Sequence, residues 1–294
     1  LDSYQSGALA APHLGKQILD KDAMASFLIE AAERFPSDHT CVSFVGHSGQ
    51  LRQVIPQIRE ALSEMTRKTG RRIDILLFDS CFMAQVEVAT EFSDVARFLV
   101  ASQEGVVKFR SYPQLAAMLK KGLTSVGKLA SAIAHRNSEF TFSAIDLDKI
   151  GGLNGSIKAL GEEISRTKDR KALRRIRRAA KKATAYCSEG IVVHNHFFNT
   201  IDLKGFLIGL KNDKYLKGNF PALYAAISNV LREFGKEGSG VVIAERHSNV
   251  VDRYILDITD VRGSHGLSIH QPITPLPLQN RYTHIPDSRF NAAT

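Results

Sequence analysis

Two stretches of this chain hold residues that could form and break an acyl bond. One is Phe44-Val45-Gly46-His47-Ser48-Gly49-Gln50, the other Phe78-Asp79-Ser80-Cys81-Phe82-Met83. The first approaches the G-x-S-x-G elbow that presents a nucleophilic serine on a strand-to-helix turn. Gly46 and Ser48 fit that signature, but Gln50 stands where the tight turn wants glycine. A cysteine needs less help than a serine, because its thiolate is accessible near neutral pH. Cys81 as nucleophile and His47 as acid/base is therefore the pair to weigh, provided the fold brings them together.

The elements around them supply that condition. Thr40 to Val45 reads as a short strand that ends just before His47. Leu51, Val54, Ile55, Ile58, Leu62 and Met65 then recur at helical spacing, with Gly70 as C-cap. Ile73 to Phe78 is a near-continuous apolar run of the kind found in parallel strands buried on both faces, and it ends just before Cys81. Successive parallel strands joined by one helix are usually neighbours, and functional groups gather beyond their carboxyl ends. A helix predicted over Phe82 to Phe92 would add its N-terminal dipole in favour of a thiolate at Cys81. The plainer alternatives are a strand-end cysteine that merely fills space, a histidine on a polar turn, and an Asp79 that caps the next helix.

The same rhythm continues. Lys21 to Arg34 has a helical apolar face, Ala96 to Ser102 reads as a strand, Leu115 to His135 as mostly helical and Phe140 to Leu147 as a strand. Beyond about residue 150 come a long helical region, a β-like run leading into a helix over 190–210, strand-like segments at Val241 to Ala244 and Tyr254 to Ile258, and a last strand in the run from His265 to Pro272. Alternating strands and helices predict an α/β fold with a mainly parallel sheet flanked by helices. Residues 1–150 would form the core that bears the His/Cys pair, and 151–294 the C-terminal part of the same unit.

Composition narrows the partners. The net charge is +9, and residues 166–182 alone hold ten Lys and Arg against Asp169, so the rest of the chain is neutral. With Leu173, Ile176, Ala180 and Ala183 on one stripe, this segment reads first as the solvated face of an amphipathic helix. Contact with an acidic partner is the second reading, and nucleic-acid binding is not expected from a pI near 9.5 alone. No apolar run is long enough for a membrane span, and no leader is visible, so localisation stays open. Cys41 and Cys187 read as structural, since three cysteines make no disulfide framework. His194 and His196 have metal-compatible spacing but no evident third ligand.

The run from Phe44 to Gly49, followed by Leu76 to Phe92, resembles the clostripain family of cysteine peptidases, in the clan of caspases, gingipains and legumain. Asp79, Cys81, Met83, Glu87 and Val88 carry the likeness, which extends over most of residues 20–275 and is strongest at 74–104. The resemblance implies a caspase-like fold and an endopeptidase. Cys81 would attack the scissile carbonyl and His47 protonate the leaving amine. The Cys81 N–H and one from the Ser48-Gly49 turn would bind the oxyanion, and Asp79 would select Arg or Lys. Protein or peptide substrates are implied and no organic cofactor; calcium stays open, because some relatives need it. Relatives are often secreted and can mature by cleavage after basic residues, for which Arg67, Lys68, Arg71 and Arg72 are candidates here.

Three departures bear on activity. Ser48 stands where the family has glycine, Lys108 and Arg110 replace an expected acidic loop, and the strand and helix that precede the His-bearing strand in relatives have little room. The first two leave a catalytically inactive scaffold or binding protein as the alternative. The third suggests that an upstream segment or chain completes the sheet.

Overall fold

The computed structural model describes residues 20–47, 51, 54–106, 125–136, 141–186, 200–236, 238–248, 250–253, 257–270 and 289. In chain order the elements are α1 Lys21–Arg34, β1 Cys41–Val45, α2 Ile55–Thr69, β2 Ile73–Asp79, α3 Val86–Glu91, β3 Ala96–Ser102, α4 Val126–Arg136 and β4 Thr141–Asp146. A 3₁₀ turn then leads into α5 Ile150–Arg166, α6 Arg170–Lys182, β5 Ala185–Tyr186, β6 Thr200–Asp202, α7 Leu203–Lys211, α8 Lys214–Asn219 and α9 Pro221–Glu233. The described elements close with β7 Val242–His247, β8 Val250–Arg253, β9 Asp257–Asp260 and β10 Ser268–His270.

The central sheet has the order β1-β2-β3-β4-β7. β1, β2 and β3 run parallel; β4 is antiparallel to β3, and β7 to β4. Four of the five strands thus point one way, which is the mainly parallel sheet expected from the alternating pattern. β2 owes its position to its sequence: Ile73 through Phe78 are all buried, so it must have cover on both faces. Two apolar layers provide that cover. On one side, Leu76 and Phe78 pack with α2, α3, α5 and α9; on the other, Ile75 and Leu77 pack with α4 and Phe142. Phe78 stacks on Phe44 and meets Phe92, with ring centroids 5.6 and 5.5 Å away.

Local chemistry sets the element ends. Asp20, Asp169, Asp202 and Asp213 each accept a backbone N–H from the first turn of α1, α6, α7 and α8, as N-cap carboxylates do. α2 ends at Gly70, whose φ of 70° is the left-handed cap that glycine adopts without strain. α6 turns Ala172, Ile176 and Ala180 inward. Of its basic residues, Arg175 pairs with Asp213 at 2.7 Å and lies over the Tyr215 ring with Lys171, whereas Arg174, Arg177, Arg178, Lys181 and Lys182 are turned outward. That is the amphipathic helix expected from the stripe. β1 is an edge of the central sheet among the described residues, and Cys41, Ser43 and Val45 are exposed there. No helix among the described residues is long and apolar enough to cross a membrane.

Two elements differ from expectation. The strand expected over Tyr254 to Ile258 overlaps only β9, which pairs antiparallel with β8, and residues 254–256 lie outside the described residues. The helix predicted over Phe82 to Phe92 begins only at Val86, with Gln85 as N-cap, and runs six residues. Phe82 has φ of 56°, a left-handed conformation that no helix accommodates. The chain after Cys81 is therefore a turn. Helix α3 cannot lend its dipole to the Cys81 thiol, and Asp79 does not cap it.

Candidate active site

The site forms where β1 and β2 end side by side. Their parallel register pairs Phe44 with Phe78 and Val45 with Asp79. The Gly46 N–H continues the ladder by donating to the Asp79 carbonyl at 3.3 Å. His47 follows two residues beyond Val45, and Cys81 two residues beyond Asp79, so both emerge at the same carboxyl edge of neighbouring strands. His47 is exposed, and its carbonyl accepts the Leu51 N–H at 3.1 Å. Cys81 is half-buried, as is Asp79. Ser48 and Gly49, expected to shape an oxyanion site, lie outside the described residues, as do Cys187, His194, His196, Lys108 and Arg110.

The Cys81 sulfur rests against the peptide of Val106, just past the end of β3. The Val106 N–H donates to Sγ at 3.1 Å, and the Val106 carbonyl lies 3.6 Å from Sγ, within reach of the S–H. The N–H aimed at sulfur is a donor to a thiolate, whereas the carbonyl accepts from the thiol, so Val106 addresses both forms of Cys81. The turn that carries Cys81 is held on the same side, because Phe82 N–H donates to the Glu104 carbonyl at 3.2 Å and Ala84 N–H to the Ser102 carbonyl at 2.9 Å. Its other flank meets β10. Ser268 N–H donates to the Ala84 carbonyl at 3.0 Å, and Gln85 forms an isolated parallel bridge with Ser268. The left-handed Phe82, whose ring is buried, is thus pinned by neighbours on both sides. Strain of this kind persists only where surroundings over-determine it.

Next to the turn lies a polar cluster that no motif in the sequence announces. Asp202 has no exposed surface. One oxygen accepts Gln103 Nε2–H at 3.0 Å and the His265 N–H at 2.7 Å; the other lies 2.7 Å from His265 Nδ1 and 2.6 Å from Gly205 N. A carboxylate is acceptor-only, so His265 donates from Nδ1. Asp202 raises the pKa of His265 above its usual value, chiefly through that hydrogen bond and against the opposing effect of burial. Tyr186, fully buried, donates to Ser264 Oγ at 2.6 Å and sits 3.5 Å from Asp202; burial first and the Asp202 charge second push its hydroxyl well above the usual tyrosine range. In sequence, Asp202 shows only a general likeness to a family position. The run Ser102-Gln103-Glu104, three polar residues that begin at the last position of an apolar strand, is the available signal for its partner. All three have no exposed surface.

The other expected residues are elsewhere. Arg71 donates to the Ser37 and Asp38 carbonyls, and Arg72 to Asp148 at 2.7 Å and to the Ser93 carbonyl at 2.9 Å. Cys41 is in β1 on the sheet edge. Among the described residues no three His, Cys, Asp or Glu side chains come together as a metal site.

A family model described as the clostripain family matches residues 40–182. Among solved structures, the fold is similar to that of a secreted C11 cysteine protease from Bacteroides thetaiotaomicron named iotapain, at 15% identity and a TM-score of 0.65, covering 93% of this chain and 77% of that one. It is similar in the same degree to an inactive zymogen C11 protease from Parabacteroides distasonis, at 16% identity and a TM-score of 0.65, over 95% of this chain and 77% of the other. A clostripain from Bacteroides thetaiotaomicron, in complex with the peptide inhibitor BTN-VLTK-AOMK, aligns at 16% identity and a TM-score of 0.54, over 82% of this chain and 93% of that chain. At these identities the likeness is one of fold. No curated protein matches by sequence. The stretch matched by the family model contains β1, β2, His47 and Cys81, and over that stretch the chain is similar to the clostripain family of cysteine-type peptidases.

Proposed function

We propose that this chain is an endopeptidase that works through a His47–Cys81 dyad and cleaves after Arg or Lys. The observation that carries the dyad is the register of β1 on β2, with Val45 opposite Asp79 and the two reactive residues each two positions further on. In this mechanism the Cys81 thiolate adds to the scissile carbonyl carbon, and the carbonyl π electrons move onto oxygen. The Cys81 N–H and an N–H of the turn after His47 hold that oxyanion, each such donor contributing roughly 3 kcal/mol to lowering the barrier. His47 gives a proton to the departing amine as the C–N bond breaks, leaving a thioester. It then takes a proton from the water that attacks the thioester, which returns the thiolate. These steps call on no cofactor.

Selection for a cationic side chain rests on Asp79, half-buried at the end of β2. A cationic side chain drawn into a pocket needs an anion beside it, and Asp79 is two residues from the nucleophile. The inhibitor carried by the similar Bacteroides thetaiotaomicron clostripain has a peptide that ends in lysine, which agrees with this choice. Peptides and proteins are thus the substrates. The exposed edge of β1 suits a further strand, supplied by an upstream segment or chain.

The test is hydrolysis of fluorogenic peptides ending in Arg, Lys, Asp or Asn, with and without calcium, by wild type beside Cys81→Ala and His47→Ala. Turnover after Arg or Lys that disappears in both variants, with circular dichroism unchanged, is the expected result. Turnover after Asp or Asn alone keeps the dyad and removes the basic pocket. Turnover that survives Cys81→Ala removes the dyad. Silence of the wild type throughout leaves an inactive scaffold.

A further inference from the structure

We infer that Asp202, although it lies on a different strand pair from the dyad, is a positioning residue for the Cys81 turn, acting through Gln103. The inference rests on the reading of Cys81 as nucleophile.

The connection can be followed atom by atom. Asp202 Oδ2 accepts from Gln103 Nε2 at 3.0 Å, and Gln103 Oε1 accepts the Gly266 N–H at 2.9 Å. Asp202 also accepts the His265 N–H, so the Gln103 side chain and the Asp202 carboxylate together join the segment after β3 to the segment before β10. Those are the same two segments that grip the turn. Residues 102–106 take the N–H groups of Ala84 and Phe82 and offer the Val106 N–H to Sγ, while Ser268 bonds the Ala84 carbonyl through both its N–H and its hydroxyl. If the seam loosens, both walls of the nucleophile turn lose their fixed spacing.

The chemistry of the cluster requires a carboxylate. Gln103 Nε2, the N–H groups of Gly205 and His265, and His265 Nδ1 all present hydrogens to Asp202, over both of its oxygens. An asparagine would turn its own NH₂ toward one pair of these donors and leave them unsatisfied in a buried place. A helix cap alone does not ask for this, since asparagine caps helices as well as aspartate does. The demand for two accepting oxygens therefore points to a role beyond starting α7.

The test compares Asp202→Asn with Gln103→Met, which keeps most of the side-chain volume, leaves the α7 cap intact and removes the Gln103 bonds to both Asp202 and Gly266. Two quantities are measured on folded protein: kcat and KM for a peptide substrate, and the rate at which iodoacetamide alkylates Cys81, followed by peptide mass spectrometry. The expected result is a fall in kcat of about 10-fold or more in both variants with KM little changed, since small misplacements of a reacting group cost on that scale, together with a changed Cys81 alkylation rate. Gln103→Met decides the matter if Asp202→Asn does not fold. Folded Gln103→Met with wild-type kcat and wild-type Cys81 alkylation overturns the inference. Should wild type hydrolyse no peptide, a changed Cys81 alkylation rate in Gln103→Met still supports the positioning role, while the peptidase reading fails separately.

Discussion

The Val106 nitrogen lies 3.1 Å from Cys81 Sγ, so a backbone amide beyond β3 donates to the proposed nucleophile. A hydrogen bond to a charged acceptor is worth about 1.5–3 kcal/mol. Val106→Pro removes this donor and should slow alkylation of Cys81 near neutral pH by roughly 10-fold or more, the rate equivalent of that energy. Val106→Ala keeps the N–H and serves as control. Equal alkylation rates for the proline and alanine variants would remove the amide from the account of thiol reactivity.

The wall on the other side of the turn depends on one glycine. Gly266 has φ of 86°, and a Cβ there would sit 2.7 Å from Val242 Cγ1 and 3.0 Å from Ser143 Cβ. Left-handed strain in a residue with a Cβ costs about 1–3 kcal/mol, and overpacking a filled core a similar amount. Gly266→Ala should therefore lower the free energy of unfolding by about 3 kcal/mol or more. Urea titration of the variant beside wild type measures it; a loss below about 1 kcal/mol means that the 266 segment moves aside freely.

His265 makes stability depend on pH, with a definite sign. Its folded pKa is raised from 6.5, the largest cause being the hydrogen bond to Asp202. A group held more strongly when protonated contributes fully below its unfolded pKa, and that contribution is lost as pH rises through the folded value. Lys204 opposes the rise and Glu245 assists it, so the balance is set by Asp202. The urea midpoint of wild type should fall as pH rises from the ordinary histidine range through the raised folded value, and His265→Asn, which does not titrate there, should flatten that part of the profile. A slope identical in the two proteins would assign the dependence to another group.

Much of the site's scaffold is legible in the amino-acid sequence. Apolar runs locate β2 and β3 to within a residue, because most positions of both strands are buried and the two polar residues inside the runs, Asp74 and Arg97, pair with each other at 3.1 Å. Gly70 marks the end of α2 because only a left-handed cap calls for glycine there. Residues 82–85 are where local reasoning fails, since Met83, Ala84 and Val86 have helical character in sequence. Tertiary hydrogen bonds to the Ser102 and Glu104 carbonyls and from the Ser268 N–H outweigh that local preference and impose a turn. The Asp202 cluster is hidden for a related reason. Gln103, Asp202 and His265 are far apart in the chain, and no periodicity announces a contact between them.

The proposed preference for Arg or Lys places the largest demand on a single residue, Asp79. Taking away one member of a buried charge pair costs about 3–5 kcal/mol, because the remaining charge is left without its partner. Asp79→Ala should then reduce kcat/KM for Arg and Lys peptides by about 100-fold or more, the equivalent of that energy. A peptide with a neutral residue at the same position has no charge to strand, so its kcat/KM should change by less than about 10-fold. The ratio of the two effects is the informative quantity, since damage to Cys81, only two residues away, would depress both alike. A common loss for charged and neutral peptides would assign Asp79 to holding the nucleophile turn, and the cation's partner would have to be sought on another element.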